Sequence, residues 1–204
     1  MREILFSGAK RLGIELDEAA LGQFEAYARF LEEENSKMNL TAVTGEREIA
    51  ERHFLDSIAV LAAAGEKIKG ARVIDVGSGP GFPGVPMKIA EPGIALTALD
   101  STEKKVQFLR KLYETLGLSG AEAVFARAEE LSRLPEHREK YDFAVSRAVA
   151  RLNVLAELCL PFVKVGGSFL AMKTASSEEE IREAERAIKT LGGELSGCFD
   201  YEIM

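Results

Sequence analysis

The sequence has few cysteines, no histidine-rich stretch and no long apolar run, and each shortage excludes a class of protein. Its two cysteines, Cys159 and Cys198, lack CxxC spacing, which argues against both a disulfide framework and a zinc site. No metal is expected, and both thiols are expected to be reduced and buried. The longest apolar run, Ile58 to Ala64, is far short of the roughly 20 residues a helix needs to cross a bilayer. The N-terminus, Met1-Arg2-Glu3, lacks a signal-peptide core, so a cytoplasmic location without a membrane partner is expected. What remains is a chain of 204 residues, 47% hydrophobic and 29% charged, which suits one α/β domain with a small helical attachment.

A net charge of −7 argues at first against a nucleic-acid partner, but the acidity is concentrated. Glu15 to Glu34 holds seven acids and one arginine, and Ser176 to Glu185 holds five acids and one arginine. The rest of the chain therefore carries +3 and is free to offer a locally basic face.

Apolar spacing of 3, 4, 3 at Leu21, Phe24, Ala28 and Leu31, with Asp17 placed as N-cap, predicts an amphipathic helix from about Asp17 to Glu33. A shorter helix using Ile4, Leu5, Ala9 and Leu12 should precede it and stop at Gly13. After a polar break at Asn35 to Asn39, a third helix is expected from Glu46 to Ala64. These helices would form an N-terminal cap over residues 1–66, followed by a Rossmann-like domain over 67–204. In that domain, strand candidates at Arg72 to Val76, Ala95 to Asp100, Ala121 to Ala126, Asp142 to Ser146, Ser168 to Lys173 and Glu194 to Ile203 alternate with helical segments. This alternation predicts a mostly parallel sheet covered on both faces, with ligands at the carboxyl ends of the strands.

The most informative stretch is Val73-Ile74-Asp75-Val76-Gly77-Ser78-Gly79-Pro80-Gly81-Phe82-Pro83-Gly84, where an apolar strand runs into four glycines and then a helix. Glycine is required where the backbone takes positive φ or a ligand approaches closer than a Cβ permits. Read from Gly77 the spacing is GxGxG, the pattern of an S-adenosylmethionine (SAM) site. Read from Gly79 it is GxGxxG, through Gly81 and Gly84, so a dinucleotide reading stays open. Pro83 and Pro86 favour SAM, because they remove two N–H donors where a pyrophosphate would sit.

Asp100 closes the second strand, where an acid accepts from both ribose hydroxyls, although it could also cap the helix that follows. Arg127-Ala128-Glu129-Glu130 follows the third strand, at the expected position of an adenine ring. Arg147 ends the fourth strand and faces the site, as an orienting group for a base or as one half of a buried ion pair. The chain has neither an Asn-Pro-Pro-Tyr loop for an exocyclic amine nor a cysteine placed to form a pyrimidine adduct. Acceptors that are already nucleophilic remain, among them an aromatic ring nitrogen, for which alignment and desolvation suffice. His53 and Asp56 share a helix face, where a hydrogen bond between them would fix the imidazole tautomer. Lys104, Lys105, Arg110 and Lys111 form a basic segment that could meet phosphates or simply face solvent.

Met38-Asn39-Leu40-Thr41-Ala42-Val43, Arg52-His53-Phe54-Leu55-Asp56-Ser57, the glycine loop, Leu99-Asp100-Ser101 and Ser146-Arg147-Ala148 together resemble the RsmG family, also called glucose-inhibited division protein B. The resemblance spans nearly the whole chain. It implies a class I SAM-dependent methyltransferase acting on N7 of a guanine in 16S rRNA of the small ribosomal subunit; a monomer is expected. It implies SAM contacts from Gly77, Phe82, Ala128, Glu129 and Arg147, alongside Gly79 and Asp100 read from the loop and the strand end, and substrate-side or catalytic roles for Asn39, His53, Arg127 and Arg147. The chain departs from the family pattern at Lys173-Thr174, where a glycine usually follows the lysine, and the family's last antiparallel strand is expected to be missing. A non-catalytic SAM-binding ribosome-associated factor and an NAD(P)-binding oxidoreductase stand as alternatives.

Overall fold

The computed structural model describes residues 1–173 and 178–203. Thr174, the start of the second acidic stretch and Met204 lie outside the described residues. Strands β1 (Arg72–Val76), β2 (Ala95–Asp100), β3 (Ala121–Phe125), β4 (Tyr141–Arg147) and β5 (Val163–Met172) form one parallel sheet in the order β3-β2-β1-β4-β5. The chain winds outward from β1 to β3 and then returns to β4. The topological switch point therefore lies between β1 and β4, and a crevice opens there at the carboxyl ends of the strands.

Strand alternation decides which side chains meet. Val73, Leu96, Ala98, Phe143 and Val145 point to one face, where they share a core with residues of α1 (Arg2–Arg11), α2 (Glu18–Met38), α4 (Asp56–Ala64), α5 (Gly84–Ala90) and α6 (Glu103–Leu116). Ile74, Val76, Leu99 and Ala144 point to the other face, against Ala128 and Leu131 of α7 (Ala128–Leu131) and Cys159 of α8 (Leu152–Cys159). A smaller cluster joins Leu152 and Ala156 to Ala184 and Ile188 of α9 (Glu178–Thr190). By the same alternation Asp75, Asp100 and Arg147 fall on the first face, toward the N-terminal helices.

Asp17 caps α2 as expected, accepting from the Ala20 N–H at 2.7 Å. The helix does not stop at Glu33, however, and the expected polar break is absent. It continues to Met38 and ends only at Asn39, whose left-handed backbone (φ 51°) closes it. Asn35 stays helical and uses its amide to hold the returning chain, bonding both the carbonyl and the N–H of Thr41.

The expected helix from Glu46 to Ala64 is interrupted rather than regular: α3 (Glu46–Ile49) and α4 flank a π-helical segment, Ala50–Leu55. Within it the Asp56 N–H reaches back to the Glu51 carbonyl. The Arg52 carbonyl is left to accept from Arg147.

The expected strand from Glu194 to Ile203 is not formed. Leu195 and Phe199 remain 50% and 51% exposed, so the segment lacks the buried alternation that holds a strand to a sheet edge. Cys198 is exposed, against expectation, whereas Cys159 is buried. No described helix is long and apolar enough to cross a membrane.

Gly22, inside α2, has normal helical backbone, and a Cβ there would find only the tip of Arg2, 4.0 Å away. Gly22→Ala should therefore stabilise the fold by about 0.5–1 kcal/mol, read as a higher urea midpoint at unchanged slope.

Candidate active site

The loop after β1 is held by its own backbone. Gly77, Gly79 and Gly81 all take positive φ (75°, 58° and 110°), which bends the chain back beneath the ends of β1 and β2. The N–H groups of Gly77 and Ser78 both bond the Leu99 carbonyl, and those of Gly81 and Phe82 bond the Ser78 carbonyl. Gly79 donates to Asp100 Oδ2 (2.9 Å), Gly84 to Asp75 Oδ2 (2.9 Å) and Val85 to the Gly81 carbonyl. Positions 80, 83 and 86 are prolines. Every backbone donor from 77 to 85 is thus already used inside the protein, and none is left to cradle a phosphate. This removes the basis for the dinucleotide reading.

Asp75 is fully buried beneath the loop. Its Oδ2 accepts from Ser78 Oγ (2.6 Å) and the Gly84 N–H, while its Oδ1 has no partner among the described residues. Burial pushes its carboxyl up to about 6 despite those two bonds. Gly84 leaves no room for a side chain, because a Cβ there would lie 2.8–2.9 Å from Asp75 and Leu96. Tyr27 of α2 ties the N-terminal helices to this loop, donating to the Pro80 carbonyl at 2.5 Å.

At the carboxyl ends of the strands lies a cleft of about 480 Å³, lined by His53, Gly77, Gly79, Phe82, Asp100 and Arg147 together with Leu40, Thr41, Lys105 and Val149. Asp100 accepts from Gly79 and, through Oδ1, from the Thr102 N–H (2.8 Å). It therefore both holds the loop and shapes the start of α6. Lone pairs remain on each oxygen for hydroxyl donors. Lys105 Nζ stands 3.7 Å from Oδ2.

On the opposite wall Phe82, 4% exposed, stacks on His53 (ring centroids 4.4 Å apart) and on Tyr27 (5.5 Å), and Arg147 lies over its ring at 4.8 Å. The expected His53–Asp56 hydrogen bond is not made. Asp56 instead accepts from Arg147 Nη1 (2.8 Å) and from the Tyr201 hydroxyl (2.7 Å), and both of its oxygens are engaged. Arg147 Nη2 approaches His53 Nδ1 at 3.3 Å, which makes Nδ1 the acceptor and leaves the ring proton on Nε2, 2.8 Å from Thr41 Oγ1. Burial, helped by the neighbouring Arg147 charge, lowers the imidazole to about 4. His53 is therefore neutral at physiological pH.

The remaining sequence candidates lie outside the cleft lining. Asn39 caps α2 next to the lining residues Leu40 and Thr41. Arg127 and Glu129 are exposed at the start of α7, and Ala128 is buried in the second-face core, one strand beyond Asp100. Sequence reasoning missed the structural parts played by Thr41, Tyr27 and Tyr201. Thr41 alone carried a signal, through the Asn39-Leu40-Thr41 motif.

A cationic sulfonium ligand fits this donor set: a loop without free amides, a carboxylate at the end of β2, and glycines where a Cβ would intrude. Gly77, Gly79, Phe82, Asp100 and Arg147 line the cleft in which such a ligand would sit.

Residues 20–199 match the family described as rRNA small subunit methyltransferase G. The chain is 50% identical over 203 residues to the ribosomal RNA small subunit methyltransferase G of Pelotomaculum thermopropionicum, covering all of this chain and 84% of that one. It is 49% identical over 195 residues to the protein of the same name from Alkaliphilus oremlandii, covering 96% and 81%. The fold is shared with a predicted O-methyltransferase from Agrobacterium tumefaciens (TM-score 0.54, 16% identity, 63% and 66% covered). It is shared also with a precorrin-6y C5,15-methyltransferase from Geobacter metallireducens (TM-score 0.52, 13% identity, 78% and 79% covered). With the cleft built as described and identity of this extent along the chain, the protein belongs to the rRNA small subunit methyltransferase G family.

Proposed function

We propose that this protein transfers a methyl group from SAM to N7 of a guanine in 16S rRNA of the small ribosomal subunit. The observation that carries the reading is the glycine loop with every amide from 77 to 85 internally bonded, which suits a positively charged ligand and not a phosphate. When bound, SAM supplies a methyl carbon on a sulfonium, an electrophile whose leaving group is a neutral thioether.

The guanine N7 lone pair is free at neutral pH, so the protein has only to align and desolvate the base. N7 must keep that lone pair for the methyl carbon, which leaves O6 as the acceptor on the same edge. Arg147 has five N–H donors, three of them held by the Arg52 carbonyl, Asp56 and His53, and two remain to meet O6. His53, neutral and bonded at both nitrogens, acts as a wall of the pocket and holds Arg147 in place; it does not serve as the base. Asn39 and Arg127 flank the cleft as RNA-side groups, and Ala128 and Glu129 serve the adenine end. In this reading residues 1–66 act as a helical cap over a SAM-binding domain at 67–204, and the enzyme is a cytoplasmic monomer.

Incubation with labelled SAM and unmethylated small subunits should move label into the RNA, with a shallow pH dependence through neutrality. SAM binding without any transfer would leave only the non-catalytic factor. NAD binding by calorimetry, with none for SAM, would overturn the cofactor assignment itself.

A further inference from the structure

Arg147 places a fixed positive charge in the cleft, and the carboxylate in contact with it is Asp56. Its side chain is 15% exposed and lines the cleft where, on the proposed function, a sulfonium must also sit. Two positive charges in a partly desolvated cleft repel strongly. Among the described residues, the other groups in contact with the guanidinium carry no charge: His53 is neutral, the Arg52 carbonyl is a dipole, and Phe82 offers only a ring face; the buried Asp75 carboxyl lies beyond contact. Asp56 is the carboxylate in contact with it, at 2.8 Å. The Tyr201 hydroxyl, arriving from a segment far along the chain, holds the second oxygen of Asp56 at 2.7 Å and so keeps the first aimed at Arg147.

From this arrangement we infer that Asp56 is a positioning residue that neutralises and aims Arg147, and thereby sets the preference of the cleft for the charged methyl donor over the uncharged product. S-adenosylhomocysteine lacks the methyl and the sulfonium charge and is otherwise the same molecule. A residue with a merely structural role would affect both ligands alike. Asp56 should affect chiefly the cation.

The test is calorimetric titration of the full chain with SAM and with S-adenosylhomocysteine. Asp56→Asn should weaken SAM on the order of tenfold and S-adenosylhomocysteine less than about threefold, with the gap narrowing in high salt. Arg147→Gln, which leaves Asp56 unpaired, should shift the ratio the opposite way, so the inference stays open to refutation even if Asp56→Asn folds poorly. The double variant should return the ratio to within about threefold of wild type.

The inference rests on the cofactor reading, and the two fail differently. A wild-type chain that binds neither ligand defeats both. One that binds both ligands, while the variants leave their ratio unchanged, defeats this inference alone.

Discussion

Phe82→Ala is expected to cost about 3 kcal/mol of stability and to weaken SAM binding by more than about tenfold. The ring is buried in the first-face core and is at once the surface on which His53 and Tyr27 stack and the plane over which Arg147 lies. Its loss leaves a cavity between α2, the π-helical segment and the glycine loop, and it frees the two side chains that form one wall of the cleft. Phe82→Leu separates filling from stacking. Leucine restores most of the apolar volume, so stability should recover to within about 1.5 kcal/mol of wild type. SAM affinity should recover less, because an aliphatic chain offers no ring face to the guanidinium. Urea denaturation and calorimetry read the two effects. Full recovery of affinity in the leucine variant would show that the ring face itself does not matter.

The second large effect is one of pH and centres on Asp75. Its carboxyl lies at about 6 in the folded protein against an ordinary 3.8, chiefly because it is buried. Between those values the folded chain binds more protons than the unfolded chain, so this group makes stability fall as pH rises from about 4 to about 6. The difference amounts to about 3 kcal/mol, fully developed above the folded value and absent below the unfolded one. Asp75→Asn keeps the shape and an oxygen for Ser78 and Gly84 but cannot ionise. The stability of this variant relative to wild type should therefore climb by about that amount from pH 4 to pH 7, measured by urea melts at each pH. Parallel curves for the two proteins would mean that Asp75 does not titrate in this window.

The two experiments probe what different kinds of information had established. β1 and β2 fall where the strand pattern predicts them, because that pattern is local. Once β1, β2 and β4 are assigned, their last residues point into the crevice by topology alone. Asp100 and Arg147, at the ends of β2 and β4, and the glycines of the loop that follows β1 could thus be placed beside the crevice before any coordinates, whereas Phe82 was implied by the family resemblance alone. The end of α2, the widened turn around His53 and the strand expected after Glu194 were not legible in this way. Each depends on what the segment meets, not on its own pattern.

The sequence by itself determined the parallel α/β fold, the glycine turn and the charged residues at the strand ends, since short-range periodicity and strand polarity suffice for all three. It left two glycine registers open and paired His53 with the wrong partner. Only the tertiary structure decided those points. Which donors remain free in the loop depends on how it folds against itself and against the ends of β1 and β2; which carboxylate meets Arg147 depends on contacts between residues 91 and 145 positions apart, which only the packed structure brings together.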